Sequence, residues 1–274
     1  MRVRLDKEDF GTPRFRRNAF WLSAVIVGLC AVVAASKLKE EVPTDRIASV
    51  QRLVEQFEAV ALFGEYGADR KLSHVEKWTK PIRVSFEEGT LPQHREMVRN
   101  QSDQLSRLTD IKIEILISPE KSAGVVFRFP KRTEMRAVLA EYERDKKMLD
   151  RLMVEGICVA ITWSDPDSGE LLEGVSVIPH DIELDYLKEC VLEEFTQLYG
   201  VHNDSELIHP SVFANEDTQN HQLTLNDKII VRTLYDERIS PGMKRAEALA
   251  MARIVITELV AKVKAEGESA LYQR

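Results

Sequence analysis

Between Cys190 and Asp204 the chain reads CVLEEFTQLYGVHND. Two adjacent glutamates, Glu193 and Glu194, fall within a stretch of helical periodicity. Gln197 follows one turn later, Gly200 ends the helix, and Asn203 and Asp204 come three and four positions further on. Residues four apart share a helix face, so Glu193 and Gln197 look the same way. Carboxylates next to a turn rich in polar groups are the material of acid–base and metal chemistry. Plain structural roles fit the same residues. Leu192 and Phe195 put the glutamate pair at the edge of a buried stripe, where it would be a solvated face. Gln197 and Asn203 would bond to each other or to loop backbone, docking the loop without an ion. Asn203-Asp204-Ser205 is also an ordinary turn or capping string.

Other reactive side chains are few. His202, His209 and His221 lie in or beside the same loop, and His180 precedes the helix. Spacings of seven and twelve match no common structural-zinc pattern. Of three cysteines, Cys158 and Cys190 lie beyond the apolar N-terminal run described next. In an oxidising compartment such a pair bonds, with two buried free thiols as the alternative.

From Asn18 to Ser36 there is no charged residue, and Ala19 to Ala35 is almost wholly apolar. About 20 such residues cross a bilayer. Arg14, Arg16 and Arg17 precede the run, and a basic flank stays in the cytoplasm. The expectation is a cytoplasmic lead over 1–18, a membrane anchor over 19–36 and an envelope-facing remainder of a bacterial inner-membrane protein. A cleaved signal peptide with its exit at Val33-Ala34-Ala35-Ser36 is the competing reading. A helix beginning near Thr44 or Asp45 and broken at Gly64 reads as a connector, so 37–77 is separated from a main domain over 78–274.

Within that domain, strands are expected over 81–86, 111–117, 124–129, 157–163 and 172–178. Asp165-Pro-Asp-Ser-Gly169 supplies a hairpin turn between the last two. Helices are expected over 91–108, 132–155, 184–199, 226–236 and 244–266, from their apolar spacing. The order implies an α+β domain with a mixed sheet and a helical C-terminal part. A net charge of −7 argues against nucleic acid as a partner.

The stretch from Glu193 to Asn203 resembles the extended zinc-peptidase motif HExxHxxGxxH of the metzincins. In that register Glu193, Gln197 and Asn203 hold the three ligand positions, and Glu194 holds that of the general base. Ser211-Val212-Phe213 resembles the methionine turn, with Phe213 in place of methionine. Leu223 to Asp236, with Asn226, Asp227 and Tyr235, resembles the helix that follows in matrix-peptidase-like members. Taken with Gly242-Met243, the same residues resemble an uncharacterised proteobacterial envelope family, domain of unknown function 2927, over roughly Trp78 to Met243. The resemblance implies an exported, zincin-like domain without established activity.

The departures from the motif set the chemical expectation. Zinc takes imidazole nitrogen, thiolate or carboxylate. Glutamine and asparagine amides are neutral and poor ligands, so no metal and no cofactor are expected. Without a metal Glu194 has no activated water to serve. The expected function is a catalytically inactive binding or scaffolding module for an envelope protein or peptide. A hydrolase with Glu194 as base, and a purely structural envelope component, remain as alternatives.

Overall fold

The computed structural model describes residues 40–272, except 42, 44, 65–70, 119, 121–122 and 215–220. The cytoplasmic lead and the anchor expected over 19–36 lie outside the described residues. Among those that are described, no helix is long and apolar enough to cross a membrane.

In chain order the elements are β1 (Glu40–Glu41), α1 (Val50–Ala61), β2 (Ile82–Phe86), α2 (Pro92–Thr109), β3 (Ile113–Ile115), β4 (Val125–Arg128), α3 (Met135–Leu139) and α4 (Lys146–Glu155). There follow β5 (Val159–Ser164), β6 (Leu171–Val177), α5 (Leu184–Gln197), β7 (Ile208–His209), α6 (Leu225–Leu234) and α7 (Arg245–Glu266). β1 and β7 form a short parallel pair. The main sheet runs β3-β2-β4-β6-β5, parallel except for the antiparallel edge strand β5. The chain is thus α+β with a mixed sheet.

The strand pattern follows from alternation. In β4, Val125 and Phe127 are buried while Val126 and Arg128 are only partly so. The buried face of β2 and β4 packs on α2 and α5, where Phe127 meets Phe195 edge-on at 5.1 Å. The opposite face is covered at its β5–β6 end. There Met135, Leu139, Leu149 and Leu152 of α3 and α4 close over Val159, Val175 and Val177.

Helix ends account for the differences from the sequence expectation. The single helix expected over 132–155 is two, because Asp145 accepts a hydrogen bond from Lys147 N (2.9 Å) and starts a second helix. The first helix is capped by Ser49, which accepts from Arg52 N (3.2 Å), not by Thr44 or Asp45. That helix, α1, is built into the fold. Leu53, Phe57 and Val60 are fully buried. Arg245 of α7 reaches back to Glu58, and Asn226 of α6 accepts from Ala48 N at 3.0 Å. On α7, Ala248 and Ala252 are buried; such small side chains allow close approach of neighbouring helices.

Candidate functional site

α5 is an amphipathic helix whose Leu187, Val191 and Phe195 side chains, with Leu198 just past its end, fill the core. The two carbonyls just past its end are taken up by residues distant in sequence. The Trp78 indole N–H donates to Leu198 O (2.8 Å), and the Tyr235 hydroxyl donates to Tyr199 O (2.9 Å). Lys77 does the same for α6, its ammonium donating to Leu234 O (3.1 Å) and Asp236 O (3.3 Å). A cation is favourable at that end of a helix.

Gly200 then turns the chain with φ +94°, and a Cβ there would stand 2.2 Å from the carbonyl oxygen of Glu76. Only glycine fits both conditions. The turn lays the next residues against the segment preceding β2. His202 Nε2 lies 3.3 Å from Glu76 Oε2, an ion-pair separation rather than a formed hydrogen bond. His202 Nδ1 lies 3.4 Å from Thr162 Oγ1 of β5. Ser164 Oγ donates to Glu76 Oε1 (2.9 Å), and His74 Nε2 stands 4.0 Å from the same oxygen. Burial alone would raise the Glu76 carboxyl. His202, Ser164 and His74 outweigh it and hold the group below its ordinary value.

Beside this cluster lies a cleft of about 330 Å³, lined on one side by Glu76, Gln197, His202 and Thr162, and on the other by Met148 and Leu152 of α4. β5 forms its floor from Ala160 to Ser164. The strand is pinned to α5 by a disulfide between Cys158 and Cys190, with Cα atoms 6.0 Å apart. The cysteine pair expected to bond is therefore bonded.

The residues of the sequence motif are distributed as follows. Glu193 is half-buried on α5, and Glu194 is 4% exposed. Gln197 donates from Nε2 to Asp204 Oδ1 (3.0 Å). Asn203 donates from Nδ2 to Ala59 O of α1 (2.9 Å) and to Asp204 O (2.8 Å), and its backbone N–H donates to Val60 O (3.2 Å). Phe213 is fully buried, and its carbonyl accepts from Ser205 N (2.6 Å). Tyr235 caps α5 as described. The loop returns, then, but Asn203 is held by the end of α1 and Gln197 by Asp204.

Ser211-Val212-Phe213 and Leu223 to Asp236 are joined through one carboxylate. Asp227 accepts from Ser211 Oγ (2.6 Å) and Val212 N (3.1 Å), and completes a capping box with Thr224 at the start of α6. Burial pushes the Asp227 carboxyl up, against the hydrogen bonds it accepts.

A zinc ion does not suit the motif positions. Both amides are already committed to hydrogen bonds that shape the loop, and amides are weak donors to zinc. No group of three or more His, Cys, Asp or Glu side chains able to hold a metal occurs among the described residues. The residues that sequence reading passed over are His74, Glu76, Thr162 and Ser164. They lie 38 or more positions from His202, and no local signal marks them; the one clue is Gly200, whose required close approach demands a neighbour.

No curated protein matches the chain. Residues 50–253 match the family described as protein of unknown function (DUF2927), a span that runs from the first residue of α1 into α7. It starts earlier than the resemblance read from Trp78 onward, in keeping with the packing of α1 against the rest. With most of its 274 residues inside that match, the chain belongs to the DUF2927 family.

Proposed function

We propose that the chain is an envelope protein, anchored in the inner membrane by residues 19–36, whose periplasmic domain is a degenerate metzincin-like module that binds a protein or peptide segment without cleaving it. The observation that carries this reading is the engagement of the motif positions. Gln197 is spent on Asp204 and Asn203 on the carbonyls of α1, so these side chains hold the loop in place, while an open cleft remains beside them. A helix from Leu184 ending in a glycine turn at Gly200, with a returning loop, is the arrangement the zincin-like reading calls for. The cleft also has for its floor a strand edge that is unpaired among the described residues, which is where extended segments add to sheets.

The test is direct. Purified full-length chain should carry no stoichiometric zinc by elemental analysis and should leave casein intact. About one tightly held zinc per chain, lost on Glu193→Ala, would sink the non-catalytic reading.

A second reading, hydrolysis, is favoured by one arrangement: the imidazole of His202 stands between the Thr162 hydroxyl and the Glu76 carboxylate. A hydroxyl, an imidazole and a carboxylate in series can activate a nucleophile. Casein turnover that vanishes in Thr162→Val and persists without metal would establish it over the first.

A further inference from the structure

Among the described residues β5 has a sheet neighbour on one side alone, the antiparallel β6; its other edge runs along the cleft. An extended segment laid there pairs backbone to backbone with the strand and turns successive side chains to opposite faces. The two faces differ in chemistry. Ala160 packs toward the α5 core, and on that side Thr162 and Ser164 lead to His202, Gln197 and the Glu76 carboxylate. Ile161 packs with the α3–α4 cluster, and on that side the walls are Met148 and Leu152 of α4. The indole of Trp163, 37% exposed, stands at the rim. Glu76 and Glu143 are the carboxylates of the lining, and no lysine or arginine contributes to it among the described residues; its basic side chain is His202, beside Glu76.

We infer that the cleft takes an extended peptide strand in which apolar side chains alternate with lysine or arginine: the apolar ones against Met148 and Leu152, the cationic ones toward Glu76. This rests on the reading of the cleft as a binding site. Backbone pairing supplies the attachment, the α4 wall removes apolar surface from water, and the carboxylates choose the sign of the partner's charge. Neither carboxylate stands idle in the free protein. Ser164 donates to Glu76, and Asp145 N donates to Glu143 Oε1 (2.7 Å), so both are held in position for a cation.

The experiment uses the full-length chain in a neutral detergent, with detergent alone as the reference. The probes are labelled, end-blocked hexapeptides in which leucine alternates with lysine, with serine or with glutamate, read by fluorescence anisotropy. The leucine–lysine peptide should bind about tenfold or more tighter than the leucine–glutamate one at low ionic strength, and the gap should narrow as salt is added. Methylating alternate backbone nitrogens of the lysine peptide should abolish its binding. Glu76→Gln should shrink the preference, and Glu143→Gln, beside the start of α4, should shrink it less and without touching the Glu76 cluster. Equal binding of all three peptides would overturn the charge rule and leave the binding cleft standing. Undiminished binding of the methylated peptide would overturn the strand pairing. Failure of every peptide to bind would overturn the inference together with the reading beneath it.

Discussion

Gly200 is the residue on which the site turns. Its φ of +94° and the 2.2 Å that a Cβ would leave to Glu76 O mean that alanine must displace backbone. Gly200→Ala should cost about 2–4 kcal/mol in denaturant unfolding, and an unchanged midpoint would show that the turn is not needed. Glu76 makes a different demand. Its carboxyl is held below the ordinary value of 4.5 by His202, Ser164 and His74 despite burial. A depressed carboxyl stabilises the fold above its unfolded value, and the contribution disappears as pH falls through the folded one. The stability gap between the native chain and Glu76→Gln should therefore be full near pH 7 and close below about pH 4.5; a gap independent of pH would contradict the assignment. Gln197, Gly200, Asn203 and Asp204 could be picked out from sequence because they fall within eight residues and their spacing implies a shared turn. Their partners could not. Ala59 is 144 positions from Asn203, and nothing in the local pattern at Thr162 or Glu76 distinguishes a cleft residue from an ordinary strand or loop residue.

At the scale of elements, β5 is both the floor of the cleft and an edge strand, and the Cys158–Cys190 disulfide fastens it to α5 across 32 positions. Closing a loop of that length contributes about 3–4 kcal/mol in the chain-entropy model. Cys190→Ala should lower the stability by roughly that amount, and peptide mapping without reductant should recover the two cysteines joined. Two free thiols in the chain purified without reductant would remove the assignment. Alternation and glycine or proline punctuation made the five strands of the sheet readable, and Asp165 to Gly169 forms the expected turn, with Asp165 Oδ1 accepting from Ser168 N (2.8 Å). The split between α3 and α4 was not readable, because apolar spacing continues across Asp145 and only its capping role ends one helix and begins another. The connector reading of α1 came from the same limitation. An amphipathic stripe shows that a helix has a buried face, not that the cover for it lies some 190 residues downstream in α7.

For the molecule as a whole, the charge-free run and its arginine flank carry the proposed topology. Alkaline phosphatase fused after Arg274 should be active, and a silent fusion alongside an active cytoplasmic reporter would invert the orientation. The pairing of the first long helix with the last has a kinetic side. Arg245 joins Glu58, and Arg253 joins Gln51 across 202 positions, so the apolar face of α1 waits for its partner until α7 has also been made. Contacts of such high sequence separation form late and slowly. In the interval Leu53, Phe57 and Val60 stand bare to whatever surrounds the growing chain, so premature stops ahead of Arg245 should yield sticky, protease-sensitive fragments that never close.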